Sequence, residues 1–391
     1  MIAPADKLTE RTMVETSRVV EWLQRLVRIP SVGPGNAGLR SGAIDESRIA
    51  AEVATWFEAL GGAVESEDVY PGRPNTYGVW RGQTDRWIAV DVHIDTVGVE
   101  TMIGDPFDGR LEKGRVYGRG SVDTKASLGV VLALLEDMRR RGEVLKPNLV
   151  VCASSDEETG CGGGPIFARW VRRRGLKLDQ LLVAEPTMCA PIYGHKGASN
   201  VIFEIQGEAA HSSTPHLGKN AIIAAAPLIT ALAAEHQRVS QLKPSTDVGA
   251  ATLSVAMISG GQALNIVPDK CEIHVNRRVV PGEDPAMISR ALEVYARQHC
   301  PLPLTMTIVH ELPAFYQPPD TPWIQQLSGW SGMAAATAPF GTNASAYSGL
   351  AREVAIFGPG SIDQAHRDIE WIDVAELEKV AGIYTRWWDI E

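Results

Sequence analysis

The sequence predicts an α/β fold interrupted by a separate α+β domain, and three features of pattern carry that expectation. From about residue 14 to 195, short apolar runs alternate with helical stretches, as in a sheet covered by helices on both faces. From about 197 to 311 the order changes to β-α-β-β-α-β, that of a ferredoxin-like unit compact enough to be inserted whole. After the Pro-rich stretch "PAFYQPPDTP" the α/β pattern resumes with "EVAIFGPG". A length of 391 residues suits two or three domains. The expected layout is an α/β domain in two parts, 1–196 and 312–391, around an insert at 197–311.

Each element has a local reason. "WIAVDV", "NLVVCASS" and "QLLVAEP" are continuous apolar runs, which buried strands require. "TKASLGVVLALLEDMRRRG" places Leu128, Val131, Leu132, Leu135 and Met138 on one helical face, with Gly142 as the stop. In the insert, "GASNVIFEIQG", "AATLSVAMISGG", "KCEIHVNRRVV" and "PLTMTIVHEL" read as strands, and "NAIIAAAPLITALAAEHQ" and "PAMISRALEVYARQH" as helices. "RWVRRRG" reads as the solvated end of a helix.

Composition narrows the function. The net charge is −10 and no basic stripe is present, which argues against nucleic acid as a partner. The longest low-polarity run, "AIIAAAPLITALAA", is too short to span a bilayer and contains Pro227, so no membrane role is expected. The first eighteen residues are polar and charged, unlike a secretory signal. The five cysteines are scattered and odd in number, which suits a reducing compartment and no thiolate metal site. A cytoplasmic location follows as the expectation.

The polar residues are not scattered. His93 and Asp95 stand at the end of "WIAVDVHID". Asp123 precedes a helix start, and Glu157 and Glu158 follow the strand "NLVVCASS". Glu185 ends "QLLVAEP", and His366 follows "EVAIF". Ligands of open α/β sheets bind at the carboxyl ends of strands. Converging carboxylates repel unless one takes up a proton or a cation is bound. Imidazole and carboxylate without thiolate suit zinc, cobalt or manganese, and two ions sharing a carboxylate would leave a position for water.

"HIDTV", "GRGSVDTK", "DEETG", "AEPT" and "FGPGSIDQAH", in this order, resemble the di-zinc metallopeptidase family that includes acetylornithine deacetylase, succinyl-diaminopimelate desuccinylase, aminoacylase-1 and carboxypeptidase G. "AHSSTPHLGKNAI" and "GGQALNIVPDKCEIHVNRRVVPGE" extend the resemblance through the insert. It implies a catalytic domain with a mixed sheet and a ferredoxin-like lid and dimerisation domain. It implies two zinc ions per chain, with cobalt or manganese as alternatives. Asp123 would bridge them, His93 and Glu185 completing one site and His366 and Glu158 the other. Glu157 would be the general base toward metal-activated water, and Asp95 would orient His93. His211 would stabilise the oxyanion, reaching the site of a partner in a homodimer. Arg278 would hold the substrate's carboxylate, with Asn265 and Thr342 as further polar contacts. The implied reaction is hydrolysis of the amide of an N-acyl amino acid, in the manner of acetylornithine deacetylase, whose local sequence "PIYGHKG" and "GPGSIDQAH" resemble.

Alternatives stay open at this level. Dipeptides or N-succinyl substrates fit the same motifs, and Asn276 and Asn343 stand where the family often has an acid. A non-catalytic metal- or solute-binding protein would need the ligands but not Glu157. Arg278 beside Arg277 also fits a surface pair. His236, His274, His299 and His310 have no motif around them and read as structural.

Overall fold

The computed structural model describes residues 14–40 and 44–389. The polar start of the chain lies, up to Met13, outside them. The chain divides into two compact units: residues 1–193, 318–336 and 346–391 form one, and residues 194–317 with 337–345 the other.

In the first unit the sheet runs, in spatial order, through Ala63–Tyr70, Arg73–Trp80, Asn148–Ser154, Trp87–His93, Leu178–Val183 and Ala351–Ile356. The last four are mutually parallel, and the first two form an antiparallel hairpin at the edge, so the sheet is mixed. Every residue of Asn148–Ser154 is buried, which explains an apolar run without alternation. The helices Thr16–Val27, Lys125–Arg141 and Val374–Trp387 pack on one another, and Ser47–Ala59 and Gly163–Arg173 pack on strands. Lys125–Arg141 ends at Gly142 in the left-handed region (φ 67°), where a residue without Cβ is favoured. The arginines of "RWVRRRG" end the helix Gly163–Arg173, and Arg169 and Arg173 pair with Glu67.

The parallel arrangement aligns the chemistry. Strand partners share direction, so residues after His93, Ser154, Val183 and Ile356 leave the sheet at one edge. Those are the segments that carry Asp95, Glu157 and Glu158, Glu185 and His366.

The second unit contains a four-stranded antiparallel sheet in the order Thr252–Gly260, Lys270–Val279, Gly197–Gln206, Leu304–Leu312. With the helices Ala221–Ser240 and Pro285–His299 the chain order is β-α-β-β-α-β. Alternation along Lys270–Val279 puts Ile273 and Val275 into a core with Val201, Phe203, Leu228 and Leu292. Asn220 caps the first helix by accepting from the Ile223 N–H, and Asp284 caps the second at Ala286, followed by Pro285 at its first position. Among the described residues no helix is long and apolar enough to cross a membrane.

Candidate metal-assisted active site

Six side chains converge where the parallel strands of the first unit end. His93 Nε2 lies 3.1 Å from Asp123 Oδ1, and His366 Nε2 lies 3.3 Å from Asp123 Oδ2. Asp123 therefore faces one imidazole with each oxygen. His366 Nε2 is also 3.1 Å from Glu158 Oε2. Ligand-capable atoms of His93, Glu157 and Glu185 lie within 4.8 Å of one another, and so do those of His93, Asp123 and Glu158. Glu157, expected as a base, thus stands as near to His93 and Glu185 as a ligand would. His366 has φ 61°, a left-handed conformation uncommon outside glycine, and strained backbone of this kind concentrates at functional sites.

Asp95 departs from the expected geometry. The strand stops at His93, and Asp95 lies beyond its end. The nearer contact of His93 Nδ1 is the Asp95 main-chain oxygen at 3.0 Å, with the carboxylate at 3.5 Å. That carboxylate accepts the backbone N–H of Glu157 at 3.1 Å and of Glu158 at 3.0 Å. Asp95 contacts the imidazole chiefly through its main-chain oxygen, and its carboxylate holds the turn that presents both glutamates.

The electrostatics are those of a crowded acidic pocket. Burial pushes the Glu157 carboxyl up to about 8, and the neighbouring Glu158, Asp95 and Asp123 carboxylates add to this against the pull of His93. Glu158 and Glu185 are raised for the same reason, burial first and neighbouring acids second. Burial also opposes charge on His93, but hydrogen bonds to Asp123 and Asp95 outweigh it and hold the ring well above the ordinary imidazole value. Hydrogen bonds to Asp123 and Glu158 bring His366 up to about 10. Burial opposes ionisation of Asp123 too, yet both imidazoles keep its carboxyl below the usual range.

Protons therefore stand where cations would relieve the same repulsion. Glu185 Oε1 is buried without a hydrogen-bond partner among the described residues, as a ligand oxygen awaiting a cation would be. The donors are imidazole and carboxylate, with no thiolate in either ligand group. The residues present fit divalent metal.

Two residues not singled out in the sequence lock this geometry. Arg119 pairs with Glu370, both buried, and donates to the Gly98 carbonyl at 2.9 Å. Glu370 Oε1 accepts the N–H of Val122 at 3.1 Å and of Asp123 at 3.4 Å. One carboxylate thus ties the Asp123 turn to the segment after His366. A glycine-flanked Arg119 is the sole local hint, and nothing near Glu370 in sequence points to residues 122 and 123. Truncating one partner of a buried ion pair leaves the other charge unpaired. Glu370→Ala is expected to lose about 3–5 kcal/mol of stability, read as a lower denaturant midpoint. A loss below about 1 kcal/mol, the range of an exposed pair, would contradict the buried pairing.

The second unit holds the remaining expected residues. His211 is exposed, with Nδ1 2.7 Å from Ser213 Oγ. Its loop pairs with that of Asn265, whose carbonyl accepts the Ser212 N–H at 2.9 Å. Arg278 lies half-buried on the sheet face opposite Ile273 and Val275, alongside Asn276. Arg277 is the paired one: it is buried and bound to Glu283 at 2.7 Å. Thr342, expected to contact substrate, is fully buried. Its oxygen accepts the Ala344 N–H at 3.1 Å and lies 3.2 Å from His195 Nε2. The His195 Nδ1 faces the Lys196 carbonyl at 2.9 Å and must donate there, so Nε2 accepts from Thr342. The Thr342 hydroxyl is committed to the Ala344 N–H and the His195 ring. His236, His299 and His274 each have a structural partner in the Leu253 N–H, the Tyr295 carbonyl and Glu272.

Residues 89–389 match peptidase family M20/M25/M40. The chain belongs to this family. Its relatives include the acetylornithine deacetylase of Proteus mirabilis, 28% identical over 92% of this chain and 93% of that protein. The M20 metallo-carboxypeptidase of Sulfolobus solfataricus superposes with a TM-score of 0.77 at 16% identity, over 95% of this chain and 98% of that one. A dinuclear metal-binding M20 peptidase of Bacillus subtilis superposes with a TM-score of 0.63 at 16% identity, over 96% and 98%. As an M20 protein, this one is a hydrolase of amide bonds.

Proposed function

We propose that this M20 hydrolase cleaves the amide of N-acyl amino acids, as an acetylornithine deacetylase-like enzyme. The observation that carries the reading is a half-buried Glu157 set beside a fitted ligand cluster, its backbone gripped by Asp95. His93, Asp123, Glu158, Glu185 and His366 would hold two divalent ions, zinc foremost and cobalt or manganese otherwise. Bound there, the ions would supply Lewis acidity to the carbonyl and a lowered pKa to the attacking water.

Glu157 does the proton work. It takes the proton of the attacking water and delivers it to the leaving nitrogen, so that acid and amine are released. A carboxyl already biased toward holding a proton suits that exchange. Arg278, on the polar sheet face, binds the substrate carboxylate as a planar fork, and Asn265 adds a polar contact. Thr342 holds the 342–344 loop. His211 stabilises the oxyanion from a partner chain. Exposed Met257 and Ile258 on the edge strand Thr252–Gly260, with Leu264 and Ile266 nearby, support a homodimer through the second unit. Five free, buried cysteines are in keeping with a cytoplasmic enzyme.

The deciding experiment is a panel of N-acetyl, N-succinyl and dipeptide substrates with added zinc, cobalt or manganese. N-acetyl amino acids should be the best substrates. Preference for N-succinyl compounds or dipeptides would reassign the enzyme within the family, and no hydrolysis with any metal would overturn the reading.

The trans role of His211 has its own test. Glu157→Ala and His211→Ala proteins are each expected to be nearly inactive. Dissociated and reassociated together, about half the dimers are mixed and each mixed dimer has one intact site, so roughly a quarter of wild-type activity should return. No recovery would place His211 in its own chain's site, or outside catalysis.

A further inference from the structure

After Ser154 the chain must leave a buried strand and turn toward the site. Four consecutive backbone N–H groups, those of residues 155–158, point away from any strand partner. Each is captured by a buried side chain. Asn75 Oδ1 accepts the Ser155 N–H at 3.0 Å, and Glu46 Oε1 accepts that of Asp156 at 3.1 Å. The Asp95 carboxylate accepts the next two. Asp156 itself is left-handed, φ 65° and ψ 32°, a conformation uncommon outside glycine that its surroundings here hold in place.

Glu46 and Arg73 supply the enforcement. Arg73 grips both Glu46 oxygens, through Nε at 2.7 Å and Nη2 at 2.6 Å. The same Nη2 reaches Asp156 Oδ1 at 2.9 Å. Glu46 is fully buried. One guanidinium therefore holds the Asp156 side chain and the carboxylate that receives the Asp156 backbone. It also neutralises two acids that would otherwise add to the negative charge beside the site. Neither residue touches the ligand cluster.

We propose that Glu46 and Arg73 are positioning residues for hydrolysis, acting by fixing the backbone at Asp156 and so the aim of Glu157. The inference rests on Glu157 being the general base. Misplacement of a reacting group by about 1 Å can cost roughly 10²-fold in rate. Glu46→Ala and Arg73→Ala are expected to lower kcat by about 10- to 100-fold, with KM little changed and two divalent ions still found by elemental analysis. Glu46→Gln keeps an oxygen for the Asp156 N–H and should recover much of that loss, whereas Arg73→Lys cannot grip both oxygens and should not.

A double-mutant cycle separates this inference from the reading beneath it. In a Glu157→Ala background, Glu46→Ala and Arg73→Ala should cause no further loss of kcat. An active Glu157→Ala protein would remove the base assignment itself. An inactive Glu157→Ala protein, combined with Glu46→Ala and Arg73→Ala proteins that both match wild type, would overturn the positioning role alone. So would losses that persist unchanged in the Glu157→Ala background, or losses that track metal content or thermal midpoint instead of kcat.

Discussion

A Glu157→Gln protein should bind its divalent ions and yet lose kcat by ~10²–10⁴-fold, the usual contribution of a positioned acid–base group. The substitution keeps the size of the side chain and the backbone hydrogen bond to Asp95. What it removes is the ability to carry a proton from water to the leaving nitrogen. Glu158→Gln should behave in the opposite way, with metal content falling, because Glu158 groups with His93 and Asp123 and contacts His366. The comparison matters because Glu157 lies close enough to His93 and Glu185 to serve as a ligand. Metal lost from Glu157→Gln but kept by Glu158→Gln would exchange the two roles.

Removal of metal should have the second large effect. A chelator should abolish hydrolysis and lower the thermal midpoint, since an ion bound only by the folded chain stabilises it by about 4 kcal/mol at a thousandfold excess over Kd. The loss should also depend on pH. Without metal, Glu157 is raised from 4.5 to about 8 and His366 from 6.5 to about 10. Glu158, Glu185 and His93 shift in the same direction. Each group binds its proton more tightly in the folded chain than in the unfolded one. Their contribution is therefore complete at low pH and disappears as pH rises, from about 4.5 through 8 for Glu157 and from about 6.5 through 10 for His366. Asp123 works in the opposite sense, but only near and below its ordinary value of 3.8. The metal-free protein should lose stability between about pH 5 and 9, and the gap to the loaded protein should widen, because ions replace protons. Thermal unfolding with and without chelator measures this. An equal midpoint in both, or full activity after chelation, would count against a metal site.

The acids and imidazoles of the site were legible because each follows an apolar strand or precedes a helix, and strand ends in such folds meet. The helices Pro285–His299 and Lys125–Arg141 were legible from periodicity and their stops. What holds the site was not. Glu46 meets the backbone of Asp156 across 110 residues, and Glu370 meets Val122 across 248. A backbone N–H carries no residue identity, so no motif announces the side chain that will accept it. Asp95 shows the same limit. The family resemblance implied a partner for an imidazole, whereas its carboxylate also closes on two amides that only the fold brings near. The family resemblance implied Thr342 as a polar contact to substrate, and its hydroxyl is spent on Ala344 and His195.

The parallel pairing of Leu178–Val183 with Ala351–Ile356 has a consequence for biogenesis. A ribosome must make the whole of residues 184–350 between these two strands. At about 5–20 residues per second that interval is on the order of ten seconds or more. Throughout it the edge of Leu178–Val183 lacks its neighbour, while Glu157, Glu158 and Glu185 already exist and His366 does not. The nascent first unit is thus an acidic half-site with an open strand edge, the kind of surface that pairs with the wrong chain. Arrival of Ala351–Ile356 closes that edge and brings His366 in the same event, so completion of the sheet and completion of the catalytic cluster are one step in the life of the chain.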